Sequence, residues 1–217
     1  MKSIRQLISV FRNEYISQGI NIKELADNPI VQFERWMVEA VKNKVNLPNA
    51  MHLSTAGKDG KPSGRVVLLR GFDERGFVFF TNYDSRKGNE LRNNNYASMT
   101  FFWYELFRQV RIEGYVHKVT EAESDAYFQS RPRESQISAL ASEQSRLLDS
   151  RESLEQRVRE LEKRFKDQPV PRPDYWGGFY LSPIYVEFWQ GRAHRLHDRI
   201  LYKLEKNNFW NMHLLSP

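Results

Sequence analysis

Apolar and polar residues along the chain follow two different periods. Over the first forty-odd residues the period is helical. Leu7, Ile8, Phe11 and Tyr15 recur on one face, and Phe33, Trp36, Met37, Ala40 and Val41 do so again. Asn28 followed by Pro29 has the form of an N-cap with proline at the first helical position. After Pro48 the period shortens to that of strands. Residues 51–56 are strand-like, residues 57–60 (Gly-Lys-Asp-Gly) form a turn, and residues 65–70 are an apolar strand bracketed by arginines. A second turn at 73–76 leads into a strand over 77–82, and strand-like runs recur at 97–104 and 109–119. Such short turns predict antiparallel hairpins.

A helical middle follows. Residues 120–123 (Thr-Glu-Ala-Glu) form a capping box. Leu154, Val158, Leu161 and Phe165 make an apolar stripe on a charged helix, with Glu155–Arg159 and Glu160–Arg164 pairs expected along it. Pro169, Pro171 and Pro173 then make a stiff connector. Strands are expected at 179–181, 184–189, 195–204 and 209–214. About eight short strands with helices before and between them predict a mainly β, α+β chain, a small antiparallel barrel with helical decoration. We expect one domain over 1–217, with 1–45 a helical N-terminal segment and 174–217 completing the sheet.

Composition narrows the function classes. A chain of 217 residues, 40% hydrophobic and 28% charged, can bury one substantial core. No apolar run approaches the roughly 20 residues of a membrane span, and the N-terminus lacks the apolar core of a signal peptide. A cytoplasmic protein with no membrane partner is the expectation. Cysteine is absent, which excludes disulfides, thiolate catalysis and cysteine-ligated zinc. The net charge of +6 favours anionic partners, and the placement of the cations must choose among them.

Three cation clusters stand out. In the first, an apolar strand ending in Phe188 and Trp189 breaks at Gly191, and residues 192–199 then hold three arginines and two histidines. Continued as a strand, this stretch would point Arg195, His197 and Arg199 to one face. Aligned cations repel unless an anion meets them, and the aromatic residues beside them suit a flat, negatively charged ligand. A solvated edge strand decorated with charge fits the same residues. In the second, Arg86 and Lys87 follow Ser85 at a helix start, where free amide hydrogens, the dipole and a hydroxyl donor suit a phosphate. A capped surface helix with solvated cations is the plainer reading. In the third, Tyr127 and Arg131 share a helical face, and Ser135 continues the spacing past Pro132. A phenol, a guanidinium and a hydroxyl can converge on one phosphate. A helix–proline–helix corner whose arginines pair with Glu134 or Asp125 fits equally. Arg65 and Arg70, five positions apart, would lie on opposite faces of a regular strand.

Other chemistries lack machinery. There is no nucleotide phosphate loop, dinucleotide fingerprint or nucleophile elbow. His194 and His197 would lie on opposite strand faces, and no metal spacing is present, so no metal is expected. Anion binding between aromatic walls remains, which suits a phosphorylated cofactor that carries its own chemistry. A nucleic-acid-binding barrel would also combine basic and aromatic residues, but it ranks below an enzyme here.

At these residues the sequence resembles the pyridoxine (pyridoxamine) 5′-phosphate oxidase family. The resemblance runs from about Arg12 to Pro217. It rests on the segments 12–15, 33–36, 65–70, 79–82, 85–87, 108–110, 130–136, 176–179, 188–191 and 194–199, all in order. It implies an FMN-binding split β-barrel, a homodimer, and FMN held in clefts at the subunit interface. By the same resemblance Arg65, Val66, Val67, Leu68, Leu69, Arg70, Phe80, Thr81, Arg86 and Lys87 line the FMN site. Gln109, Gln144, Ser145, Trp189 and Arg199 complete it, some from the other subunit. Tyr127, Arg131, Ser135 and Arg70 resemble the clamp on the substrate phosphate. Arg195 and His197 resemble the catalytic pair over the substrate ring, and Arg12, Asn13, Glu14 and Tyr15 the segment that closes over it.

The resemblance further implies oxidation of pyridoxine 5′-phosphate or pyridoxamine 5′-phosphate to pyridoxal 5′-phosphate, with oxygen as acceptor and hydrogen peroxide as product. Three positions depart from the family pattern. Arg70 stands where lysine is usual, Leu47 where some members have an acidic residue, and Phe80 where tyrosine is common. Another split-barrel flavoprotein acting on a phosphate-free ring, or a non-catalytic flavin or pyridoxal phosphate carrier, is the alternative.

Overall fold

The computed structural model describes residue 17 and residues 19–217. The stripe at Leu7, Ile8, Phe11 and Tyr15 therefore lies outside the described residues. Nine strands and five α-helices form among those described, an α+β chain with an antiparallel sheet. The chain makes two compact units. One comprises Asn49–Thr100 and Ile112–Ile184; the other comprises Phe101–Arg111, Tyr185–Pro217 and the described residues up to Pro48.

The larger unit carries β1 (Ala50–Ala56), β2 (Pro62–Leu68), β3 (Gly71–Asp73), β4 (Gly76–Asn82), and parts of β5 (Tyr96–Trp103), β6 (Arg108–Lys118) and β7 (Trp176–Gln190). Their order is β2-β1-β5-β6-β7-β4-β3. Alternation along β1 buries Met51, Leu53 and Thr55, and Phe77 and Phe79 of β4 and Met99 of β5 join that core. The registers set Leu53 opposite Arg65 and Phe80 opposite Gly178. At Gly114 of β6 an added Cβ would lie 2.0 Å from the Ser182 carbonyl oxygen, so only glycine allows this approach of β6 to β7. Four helices belong to this unit: α2 (Arg86–Asn93), α3 (Glu121–Ser130), α4 (Arg133–Ala141) and α5 (Arg151–Arg164). The Thr120–Glu123 capping box opens α3 as expected. Val158 and Leu161 of the α5 stripe pack on Phe128, Ile137, Phe165, Val170 and Trp176. The expected Glu155–Arg159 pair gives way to Arg151–Glu155 at 2.9 Å, and Glu160 accepts from Gln156.

In the smaller unit α1 (Pro29–Lys42) starts at Asn28, whose Oδ1 accepts from the Ile30 amide at 2.8 Å. It buries Phe33 and Trp36 against Phe101 and Phe188. Residues Tyr185–Gln190 of β7 pair with β8 (Asp198–Leu204), which pairs with β9 (Trp210–Leu214). Upstream of α1 the described chain holds a short 3-10 turn, Ile22–Glu24, where a helix was expected.

Two strand expectations are corrected. Residues 179–181 and 184–189 belong to one continuous strand, because the β4 register ends at Leu181 and the β8 register begins at Tyr185. Pro183 falls between these ladders, where its missing N–H breaks neither. The strand expected over 195–204 begins only at Asp198. Ala193–Arg195 is a 3-10 turn with His194 at φ 55° and Arg195 at φ 61°. Left-handed backbone at successive positions cannot continue a strand. Arg195, His197 and Arg199 therefore do not alternate along one strand face, and His194 and His197 do not oppose each other across one.

Candidate active site

A cleft of about 790 Å³ opens in the larger unit, within the roughly 300–1,000 Å³ range of small-molecule sites. Its walls are β2, β4, the start of α2, α3, α4 and the turn after α4. Arg65, Val66, Val67 and Leu68 come from β2; Arg70 follows it; Phe80 and Thr81 come from β4; Arg86 and Lys87 open α2; Gln144 and Ser145 follow α4. Leu69 alone of the 65–70 run is buried in the core, its amide donating to the Asn49 carbonyl at 2.8 Å. Arg65 and Arg70 reach the same cleft. Their expected separation onto opposite faces fails because β2 ends at Leu68.

One group of cations is internally satisfied. The Lys87 ammonium is buried and donates to Gln144 Oε1 at 2.8 Å, Thr81 Oγ1 at 3.0 Å and Ser85 Oγ at 3.2 Å. Burial pushes its pKa down to about 8, with Arg65 adding and Glu90 opposing. Arg65 donates to Thr55 Oγ1 at 2.5 Å and to Ser63 Oγ at 2.5 Å, and lies 3.3 Å from Glu90 Oε2. Arg86 is paired through Nε with Glu90 at 2.9 Å and is otherwise exposed. Ser85 is fully buried; its hydroxyl donates to the Asn82 carbonyl at 2.7 Å and accepts from the Gly88 amide. Ser85 is thus a helix cap, and the hydroxyl expected as a phosphate donor is already committed.

The second group is the reverse. Phe80 stacks on Tyr127 with centroids 3.8 Å apart, and Trp176 lies parallel to both. The Arg131 guanidinium lies 4.7 Å from the Trp176 ring centre, and Arg70 lies 6.0 Å from that of Tyr127. Arg131 Nη1 is buried without a hydrogen-bond partner. Of the two carboxylates expected to pair with this corner's arginines, Asp125 is engaged elsewhere. Asp125 pairs with Arg172 at 2.6 Å, and Arg133 caps the end of α5 on the Phe165 and Gln168 carbonyls. Burial lowers the Arg131 pKa, with Tyr127 opposing and Arg70 adding. Arg131 follows the last helical residue of α3 in extended backbone. As the C-cap it lies one residue past the helical face on which it was expected with Tyr127, and both line the cleft. Ser135, in the first turn of α4, stands off the cleft wall; Ser138, one turn later, lines it. Ser138 and Trp176 were missed as lining residues. The three-residue spacing from Ser135 was a usable signal for the first, while nothing local distinguished Trp176.

The remaining candidates lie in the smaller unit. The His197 ring is 4.6 Å from that of Trp189, and its Nδ1 accepts from the Arg192 amide at 3.1 Å. Burial, with Arg195, lowers the His197 pKa against Asp198. Arg199 donates twice to buried Glu187, at 2.7 and 3.1 Å. Gln109 is half-buried on β6, Arg195 is exposed, and Leu47 is exposed at φ 48°. Arg12, Asn13, Glu14 and Tyr15 lie outside the described residues. The nearest described positions tie down firmly: Ser17 Oγ donates to the Gly191 carbonyl at 2.6 Å, and the Ile20 amide to Asp198 at 2.8 Å.

Flavin mononucleotide fits the donor set of the larger unit's cleft. Lys87, Arg65 and Arg86 are cations suited to its phosphate, and the aliphatic side chains of β2 suit a flat heterocycle, while the acceptorless Arg131 nitrogen in the same cleft is left for a second anion. Among the described residues no group of three or more metal-ligating side chains could hold an ion, and no helix is long and apolar enough to cross a membrane.

Residues 37–165 match the family model described as pyridoxamine 5′-phosphate oxidase, and residues 176–217 match the pyridoxine 5′-phosphate oxidase C-terminal dimerisation region. The pyridoxine/pyridoxamine 5′-phosphate oxidase of a Nostoc species is 50% identical over 210 residues, covering 97% of this chain and 98% of the relative. That of Cupriavidus pinatubonensis is 52% identical over 206 residues, covering 95% and 97%. The solved structure of PhzG from Burkholderia lata 383, in complex with tetrahydrophenazine-1-carboxylic acid, has a TM-score of 0.88 at 32% identity, covering 94% of this chain and all of that one. A pyridoxamine 5′-phosphate oxidase-related, FMN-binding protein from Nostoc punctiforme shares the fold, with a TM-score of 0.69 at 16% identity, covering 89% and 99%. The fold is the split barrel expected from the sequence.

Proposed function

The chain belongs to the pyridoxine/pyridoxamine 5′-phosphate oxidase family of oxidoreductases, and from that membership we propose that it binds FMN and oxidises pyridoxine 5′-phosphate or pyridoxamine 5′-phosphate to pyridoxal 5′-phosphate. Bound FMN would supply the two-electron acceptor, with oxygen regenerating it and leaving as hydrogen peroxide; from the amine substrate, water would hydrolyse the resulting imine to the aldehyde and ammonia. The match to the dimerisation region supports action as a homodimer, one FMN-binding domain per chain.

The observation that carries the reading is the buried, acceptorless Nη1 of Arg131 beside Tyr127 and Arg70. A buried donor without an acceptor costs about 1–3 kcal/mol. A substrate phosphate removes that cost and gains charge-assisted bonds from a guanidinium fork. Lys87, Arg65 and Arg86 form the separate group suited to the cofactor phosphate. With both phosphates held by these groups, the cofactor and substrate rings would be positioned for reaction, and such positioning can supply much of the rate. Arg195 and His197 are assigned to orient the substrate ring and steady developing charge. The left-handed backbone at His194 and Arg195 is the kind of strain that clusters at working sites.

Anaerobic mixing of the purified protein with each phosphorylated vitamer tests the reading. The expected result is bleaching of the flavin absorbance, followed by peroxide when air is admitted. A colourless protein that refuses FMN, or a flavin that neither vitamer reduces, overturns it. Replacing Arg195 with leucine is expected to lower kcat at least 100-fold, about 3 kcal/mol of transition-state stabilisation, while FMN stays bound; unaltered turnover removes that role. The likeness to PhzG supports a second reading, oxidation of a phosphate-free ring. Reduction by unphosphorylated pyridoxine as fast as by its phosphate would favour it.

A further inference from the structure

Arg65 and Arg86 both line the cleft, and one carboxylate behind its wall holds them both. Glu90 projects from the middle of α2 with its side chain 11% exposed. Its Oε2 accepts from Thr55 Oγ1 and from Ser63 Oγ, each at 2.6 Å, and lies 3.3 Å from Arg65 Nη2. Its Oε1 accepts from Arg86 Nε at 2.9 Å. Arg65 is closed from the other side by Thr55 Oγ1, Ser63 Oγ and the Leu53 carbonyl. An ion pair that serves stability alone needs one cation. This carboxylate takes two, both on the wall of one cleft, and binds Arg86 by the nitrogen that leaves the terminal fork to the cleft.

We propose that Glu90 is a positioning residue that presets Arg65 and Arg86 as a socket for a phosphomonoester, so that the cleft selects FMN over riboflavin. The proposal rests on the cofactor reading above and adds its specificity. A free arginine at a cleft rim samples many rotamers and loses that freedom when it binds an anion. Held by Glu90, both guanidiniums meet the phosphate already oriented. Burial works against the Glu90 charge, but the Ser63 and Thr55 hydroxyls, Arg86 and Arg65 outweigh it and hold the carboxyl at about 2. The anchor therefore stays charged at neutral pH.

The test compares two flavins that differ only in phosphate. Apo-protein is titrated with FMN and with riboflavin by fluorescence quenching, for the wild type, Glu90→Gln and Thr55→Val. Thr55 is buried off the cleft wall, so its substitution reaches a ligand only through the network. The expected result for Glu90→Gln is a Kd for FMN raised about tenfold or more, the scale of one lost charged hydrogen bond, with riboflavin changed less than about twofold. Thr55→Val is expected to move FMN about threefold in the same direction and to leave riboflavin in place. FMN binding that is unchanged or tighter in Glu90→Gln overturns the proposal, as does equal loss of both flavins. If Glu90→Gln does not fold, Thr55→Val decides alone by the same split. A wild-type protein that binds neither flavin overturns the cofactor reading itself, and that outcome is visible before any variant is made.

Discussion

Two groups of cations line the same cleft and differ in how their hydrogen-bonding needs are met. Lys87 and Arg65 are surrounded by protein acceptors, and Arg86 is held by Glu90. Arg131 keeps a buried nitrogen with no acceptor, and among the described residues neither it nor Arg70 has a carboxylate partner. The first group is a finished structure that holds its shape without ligand. The second is an unfinished one, completed only when an anion arrives. A cofactor that stays bound suits a preset socket, while a substrate that must leave suits a site whose satisfaction is temporary.

The largest effect that separates the groups is expected at Arg131. Arg131→Met should lower kcat/KM for pyridoxine 5′-phosphate about 100-fold or more, the cost of truncating a buried charge-assisted contact. The apo-protein should melt no lower than wild type, because the lost group was unsatisfied in the unliganded fold. A melting temperature several degrees lower would place Arg131 among structural cations and erase the contrast.

Lys87→Met is expected to raise the Kd for FMN about 10- to 100-fold, with a smaller effect on substrate KM. The pH dependence carries a sign that can be checked. Burial holds folded Lys87 at about 8, below its ordinary 10.5. Between these values the unfolded chain binds more protons, so the apo-protein gains stability as pH rises through that window. Phosphate favours the ammonium form, so FMN affinity should fall above about pH 8, by up to about tenfold per pH unit. Titrations at stepped pH should show this slope in the wild type and a flat line in Lys87→Met. The smallest effect is expected from Arg86→Ala. Its side chain is 64% exposed, so FMN affinity should drop only about three- to tenfold; full retention of affinity would remove it from the phosphate site.

How legible the site was differs by residue. Thr81, Arg86, Lys87, Tyr127 and Arg131 came from a local pattern or a family motif, and the fold brings them to one cleft. The phosphate reading of Ser85 was misleading, because a hydroxyl at a helix start serves the cap first. The cation run after Gly191 looked like a strand by composition. Its positive backbone angles come from a turn whose amide at Arg192 is captured by His197, a contact five residues apart that no period reports. Arg70 and Arg65 were placed on opposite faces by counting, and counting fails once β2 stops at Leu68.

Capping and regular alternation were readable directly, since they depend on neighbours within a turn or two: Asn28 before α1, the Thr120 capping box before α3, the alternation along β1. The satisfaction of each cation was not. Glu90 meets Arg65 across 25 positions, Gln144 meets Lys87 across 57, and Asp125 is taken from Arg131's neighbourhood by Arg172 across 47. Whether a charge is spent on the protein or kept for a ligand is decided by long-range packing, because hydrogen bonds act over about 3 Å of space and are indifferent to distance along the chain.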